Sequence, residues 1–174
     1  MNINEEYLKI AIRKFKDVKE LGDKTIQQLD TEALHWTYNE ATNSIAMIVK
    51  HMRGNMISRW TDIFTSDGEK SDRHRDSEFE DPPETYAEIV EAWNTGWRVL
   101  FDTLESLSGD DLLKTVEIRG AEHTVIEAIE RQISHYSYHV GQMVFTGKQI
   151  KGHDWRTLSI PKGRSEQYLK RGRE

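Results

Sequence analysis

The 174-residue sequence contains no cysteine. This absence excludes disulfide bonds, thiolate nucleophiles and cysteine-ligated zinc or iron–sulfur sites. Any bound metal must therefore be held by nitrogen and oxygen ligands. Long apolar runs are missing as well, because none approaches the roughly 20 residues that a membrane-spanning helix needs.

The sequence also lacks an excess of basic residues. Its 24 basic and 30 acidic side chains leave a net charge of -6, which provides no positive field to attract nucleic acid. The first residues lack the basic and apolar regions of a signal peptide. We expect a cytoplasmic protein that binds neither nucleic acid nor membranes, folded as a single domain over residues 1–174.

Apolar residues recur at three- and four-residue steps in four segments, which predicts four amphipathic helices. A capping box of Thr124 and Glu127 begins the last helix, and Gly147 suits its C-terminal end. The only strand-like alternation is short. The predicted fold is therefore an all-α four-helix bundle. The four helices cover residues 4–30, 44–64, 84–107 and 124–146, and the short alternation is Thr115–Ile118, followed by a turn at Arg119 and Gly120.

Residues 65–83 separate the second and third helices and differ from the rest in composition. They are highly charged, almost devoid of apolar residues and closed by two prolines. The segment is longer than most connections in compact domains, so it is either a disordered crossover or a functional loop. We favour a crossover between parallel helices. In the second interpretation, Arg73, His74 and Arg75 reach over a site.

Residues 132–142, with the sequence QISHYSYHVGQ, place His135 and His139 four residues apart on the fourth helix. This spacing puts both imidazoles on one helix face, where they can share a metal ion. The same spacing also occurs in polar surface pairs and in hydrogen-bonded core pairs. A third ligand on a neighbouring helix would distinguish these cases.

His51 is the histidine that falls on the inner face of another helix, three residues after Ile48. Taken alone, a histidine in this position is more often a hydrogen-bonded core residue than a ligand. Together with His135 and His139 it completes a three-histidine set with an open position, the arrangement of catalytic rather than structural zinc. The remaining histidines fall in predicted loops or at helix ends, and they are His35, His74, His123 and His153.

Tyr136 stands where the helical HExxH motif of a metalloprotease has its glutamate base. A protease of that type is excluded, and no catalytic residue is assigned beyond the metal itself. Tyr136 and Tyr138 either pack in the core or bring a phenol to the site. Asn55 and Gln132, each one turn from a histidine, either orient a ligand or make ordinary polar contacts.

These motifs resemble the DinB-like superfamily. The resemblance rests on residues 48–55 (IVKHMRGN) and residues 135–142 (HYSYHVGQ), and it covers essentially the whole chain. Residues 158–166 (LSIPKGRSE) further resemble a subgroup of small, largely uncharacterised Bacillus-type members.

The resemblance implies an up-up-down-down four-helix bundle, commonly a homodimer, with zinc or nickel held by three histidines. In this chain those positions are His51, His135 and His139. Some members of the superfamily are metal-dependent transferases that use low-molecular-weight thiols such as bacillithiol or mycothiol, which makes thiol S-transfer the first functional hypothesis. The alternatives are a metal-dependent hydrolase and a non-catalytic interaction or stress protein stabilised by its metal.

Overall fold

The structure is a computed structural model that describes residues 2–167. The two ends of the predicted domain, residue 1 and residues 168–174, lie outside the described residues. The described chain is predominantly helical, in agreement with the predicted all-α class. None of its helices is long and apolar enough to cross a membrane.

Four long helices and one short helix account for most of the chain. Each long helix begins at a side-chain cap, and α4 and α5 begin at complete capping boxes, including the predicted Thr124–Glu127 box. The helices are α1 (Ile3–Ile26), α2 (Thr31–His35), α3 (Ile45–Trp60), α4 (Tyr86–Ser106) and α5 (Val125–Lys151).

The helix boundaries correct the sequence prediction in three places. The first predicted helix, residues 4–30, ends at Ile26, and the Asp30 carboxylate accepts from the backbone N–H of Ala33 to start the separate helix α2. The second, residues 44–64, ends four residues early at Trp60. The last, residues 124–146, runs on to Lys151, so Gly147 is inside it.

Gly147 sits inside α5 because the helix packs closely there. A Cβ atom at this position would lie 2.9 Å from the Trp155 ring and 3.2 Å from the Thr25 methyl group. The glycine that ends α5 is Gly152, which has a φ of 53°. The prediction mistook a packing glycine for a terminal one.

A two-stranded antiparallel hairpin precedes α5. Strand β1 (Thr115–Ile118) pairs with β2 (Ala121–Thr124), and the predicted turn at Arg119 and Gly120 has positive φ at both residues. Positive φ at both central residues is typical of the turns that join two strands through a two-residue loop. The Asp67 carboxylate accepts from both turn N–H groups, at 2.8 and 2.7 Å.

The four long helices pack around one core: α1 contacts α4 and α5, and α3 also contacts both. Phe15, Trp60, Trp97 and Tyr136 are almost completely buried and meet in the middle. Trp93 also lies in this core, next to Trp97. The core fixes the inner faces of α3 and α5, which carry the candidate metal ligands.

Residues 65–83 make specific contacts with the helices. The Ser58 hydroxyl on α3 donates to the carbonyl of Gly68 and accepts from the N–H of Lys70. A short 3-10 helix, Asp76–Phe79, then lies against α3 and buries Glu78. The segment is therefore packed against α3 through these contacts.

Candidate metal centre

Helices α3 and α5 bring the three predicted histidines together. The Nε2 atom of His135 lies 3.4 Å from that of His51 and 3.1 Å from that of His139. One ligand nitrogen from each ring lies within 4.8 Å of the others. The cluster can hold a metal ion. Within residues 2–167, no other group of three histidine or acidic side chains brings its ligand atoms this close together.

The outer nitrogen of His51 faces an acidic residue. Its Nδ1 lies 2.8 Å from Oε2 of Glu78, which comes from the short 3-10 helix. A carboxylate only accepts hydrogen bonds, so Nδ1 carries the proton and Nε2 presents its lone pair to the cluster. The ring of Phe79 stacks on His51 with a centroid distance of 4.7 Å and holds its orientation.

The other two histidines each face a glutamine on α5. Nδ1 of His135 lies 3.3 Å from Oε1 of Gln132, and Nδ1 of His139 lies 3.0 Å from Oε1 of Gln142. The Nε2 of Gln142 in turn donates to the Tyr138 hydroxyl. In this arrangement all three outer nitrogens donate, and three Nε2 lone pairs converge. Such outer partners are typical of metal-bound histidines.

Burial favours the neutral form of the α5 histidines, which metal ligation requires. Burial, together with the neighbouring charges of His139 and His51, lowers the pKa of His135 to about 3. Burial and the neighbouring His51 lower the pKa of His139 to about 4. Both rings are therefore uncharged at neutral pH.

Arg73 holds the carboxylate that contacts His51. Its Nε donates to Oε1 of Glu78 and its Nη2 to Oε2, both at 2.7 Å, in a bidentate pair. Burial raises the pKa of Glu78, but the hydrogen bonds from His51 and Arg73 and the charge of Arg73 outweigh it and bring the pKa below its usual value. The pair is buried and ionised.

The chain of contacts continues beyond Arg73 toward the hairpin. Its Nη1 donates to Oε1 of Glu69 at 3.0 Å, and Oε2 of Glu69 accepts from Nε of Arg119 at 3.1 Å. Arg73 thus reaches the site as considered from the sequence, through Glu78. By contrast, the His74 side chain is exposed, and the Arg75 guanidinium lies 5.5 Å from the centroid of the Phe79 ring.

The polar residues considered near the site divide into two groups. Gln132 hydrogen-bonds His135, whereas the Oδ1 of Asn55 accepts from the Tyr136 hydroxyl at 3.0 Å. That hydroxyl also accepts from Nε1 of Trp60, and Tyr136 is fully buried. Tyr136 is therefore a core residue, while the exposed Tyr138 has its ring centroid 5.0 Å from that of His139.

Two residues that hydrogen-bond a histidine of the cluster, Gln142 and Glu78, were not identified from the sequence. Gln142 follows His139 by three residues, mirroring Gln132, which precedes His135 by three, so helical spacing could have identified it. Glu78 is one of several acidic residues in a segment without periodicity, and its role depends on the fold.

The geometry thus defines a predominantly helical protein with a three-histidine cluster that can hold a metal ion. The chain belongs to the family described as "Protein of unknown function (DUF1572)", which matches residues 2–164. No curated protein matches the chain.

Proposed function

We propose that the chain is a divalent-metal protein of the DinB-like type, with His51, His135 and His139 as ligands. The observation that carries the proposal is the convergence of three Nε2 atoms at 3.1 and 3.4 Å while each Nδ1 faces an acceptor. Lone pairs at this separation repel unless a cation lies between them. Zinc or nickel suits a set of neutral imidazoles.

The packing of the long helices supports the same assignment. The contacts of α1 and α3 with both α4 and α5 are those of a closed ring of four helices. We propose the up-up-down-down bundle of the DinB-like superfamily, in which the ligands project into the interior from facing helices.

For the reaction, we propose S-transfer from a low-molecular-weight thiol. When bound, a divalent ion would lower the pKa of a thiol, so that the thiol would release its proton to water and the thiolate could form a C–S bond as a halide leaves or an epoxide C–O bond opens. The chain need not supply a base for that step. The acidic side chain that contacts the cluster, Glu78, is already hydrogen-bonded to both His51 and Arg73. A hydrolase that uses a carboxylate as its general base needs that carboxylate free beside the attacking water. Because both oxygens of Glu78 already accept hydrogen bonds, this carboxylate is not free to act as that base, which favours the transferase over the hydrolase.

The metal proposal is tested by measuring metal content in the purified full chain. Variants His51→Ala, His135→Ala and His139→Ala are compared with His153→Ala, which changes a histidine outside the cluster. We expect about one ion per chain in the wild type and in His153→Ala, and loss of the ion in the other three. Full metal content in His51→Ala, with helical circular dichroism intact, would overturn the three-histidine site.

The reaction is tested separately on chelator-treated protein reloaded with zinc or nickel. Several low-molecular-weight thiols are offered with an aryl halide and with an epoxide, and thioether formation is followed by mass spectrometry. We expect turnover with loaded protein and none with metal-free protein or His135→Ala. Ester or amide hydrolysis without thioether formation would replace the transferase by the hydrolase.

A further inference from the structure

A cavity of about 640 Å³ lies beside the histidine cluster, between α5, α3 and the α2–α3 connection. Its volume falls within the range of small-molecule sites. Three aromatic rings line it and remain largely open to solvent: Tyr38 is 77% exposed, Tyr138 62% and Phe145 64%. Large aromatic side chains are usually more buried than this, so this wall presents apolar surface that the fold does not use.

The cavity wall and the histidine cluster share residues and helices. Gln142 lines the cavity and accepts from His139 Nδ1 at 3.0 Å. Tyr138 lines it too, with its ring against His139 and its hydroxyl bonded to Gln142. On α3, Ile48 lines the cavity one turn before His51. A molecule in the cavity would therefore lie against residues that contact the cluster.

The cavity lining carries no charged side chain and no histidine, although 31% of the chain is charged. Its polar groups are neutral hydroxyls and amides, such as those of Thr37, Asn43 and Thr146. A charged group entering the cavity would lose hydration without gaining an ionic partner, which disfavours it. Neutral hydroxyls and amides can still hydrogen-bond a neutral polar ligand.

Gly141 gives a second, independent indication that this cavity receives a ligand. It lies inside α5 on the cavity wall, and a Cβ atom built there would meet no atom within 4 Å. Glycine weakens a helix relative to alanine, and here packing within the described chain does not require it. Its effect is to leave the wall flat between Tyr138 and Phe145, where a flat ring can approach the backbone.

We propose that this cavity binds an uncharged small molecule that carries an aromatic ring. Its identification as the electrophilic substrate rests on the proposed thiol transfer, whereas the binding itself does not. The aromatic part lies between Tyr138 and Phe145, over Gly141, and the neutral polar groups of the wall bond its substituents.

The test uses three probes of the same shape and different charge: 2-naphthamide, 2-naphthoate and 2-naphthylmethylammonium. Binding to the full chain is measured by ligand-observed NMR and titration, with chelator-treated and with zinc-loaded protein. The chelator-treated sample prevents the naphthoate from binding through the metal. We expect the amide to bind at least about tenfold more tightly than either ion in the chelator-treated protein.

Two variants and a control locate the binding. Gly141→Leu fills the cavity from the helix and Phe145→Ala removes one ring, and each should weaken naphthamide binding by about tenfold or more. Phe64→Ala removes an exposed ring outside the cavity and should leave binding unchanged. The metal content of all three should equal that of the wild type, which shows that the fold and the cluster are intact.

The outcomes separate this proposal from the metal proposal. Naphthamide binding that depends on Gly141 in a protein that holds no metal would support the cavity and refute the metal centre. Stoichiometric metal without naphthamide binding, or equal affinity for all three probes, would overturn the cavity proposal alone. It would also be overturned if Gly141→Leu converted a dimer to a monomer without changing naphthamide affinity, because the wall would then be a subunit interface.

Discussion

Replacing Glu78 with glutamine tests whether the 65–83 segment sets the metal affinity. The carboxylate accepts three hydrogen bonds: Oε1 from Arg73 Nε, and Oε2 from both Arg73 Nη2 and His51 Nδ1. An amide of the same shape has only one oxygen. Its NH2 group must therefore face either Arg73 Nε, or both Arg73 Nη2 and His51 Nδ1, and all three of these atoms donate. The substitution keeps the volume and removes the charge that holds the His51 proton on Nδ1.

The expected loss follows from this geometry. Removing the partner that orients a ligand histidine lowers metal affinity by about 10–100-fold, which corresponds to about 1.4–2.7 kcal/mol. The metal-free protein should lose stability too, because the buried Arg73 loses its charged partner and at least one of its two hydrogen bonds to residue 78. An unsatisfied buried group of this kind costs about 1–3 kcal/mol. Affinity must therefore be measured well below the unfolding temperature of the variant.

Competition with a chromogenic zinc chelator gives the affinity, and thermal unfolding of the metal-free protein gives the stability. Glu80→Gln is the matched control, since it makes the same chemical change two residues away at an exposed position. We expect Glu80→Gln to match the wild type in both measurements. If Glu78→Gln is folded and binds zinc within about twofold of the wild type, the carboxylate does not orient His51 and the reasoning fails.

Three further predictions concern other parts of the chain. Tyr136→Phe should lower the unfolding free energy by about 1–3 kcal/mol, because buried groups of Asn55 and Trp60 lose their shared partner, while metal content stays at the wild-type value. Gly141→Ala should raise the unfolding free energy by about 0.5–1 kcal/mol in denaturant titration, since its Cβ meets open space, and a decrease would contradict the account of that wall. Burial raises the pKa of Asp67, but backbone N–H donors outweigh it and lower the pKa. A lowered folded-state pKa gives stability that is present above the unfolded value of about 3.8 and is lost as pH falls. Asp67→Asn should therefore be less stable than the wild type at pH 7, and the difference should shrink below pH 4 in urea titrations.

The parts of this protein that were predictable from sequence are those encoded in helical spacing. His135 and His139 share a face because four residues make about one turn, and His51 lies inward because it continues the apolar stripe of α3. The capping box at Thr124 likewise has a local signature. Each of these inferences depends on residues within one or two turns of each other.

Tertiary contact decided the outcome at the positions that the sequence left open or predicted wrongly. Gly147 has the residue type of a helix end, but Trp155 packs over it and α5 continues. Asn55 lies one turn from His51, yet the Tyr136 hydroxyl takes its oxygen. Glu78 belongs to a charged segment whose composition suggested a crossover. Local composition does not reveal which carboxylate will be buried.

The position of Glu78 follows from a chain of contacts that begins at the hairpin. Gly68 donates to the carbonyl of Glu117 in β1 at 2.7 Å, and the Asp67 carboxylate holds the hairpin turn. Glu69 then bonds Arg73, which places the carboxylate of Glu78 on His51. The contacts of Asp67 and Gly68 with the hairpin join residues that are distant in sequence. The contacts within residues 69–78 are local in sequence and depend on those first ones. A change in the hairpin turn should therefore alter the affinity of the proposed metal site without touching a ligand, and the three-histidine motif alone does not determine that affinity.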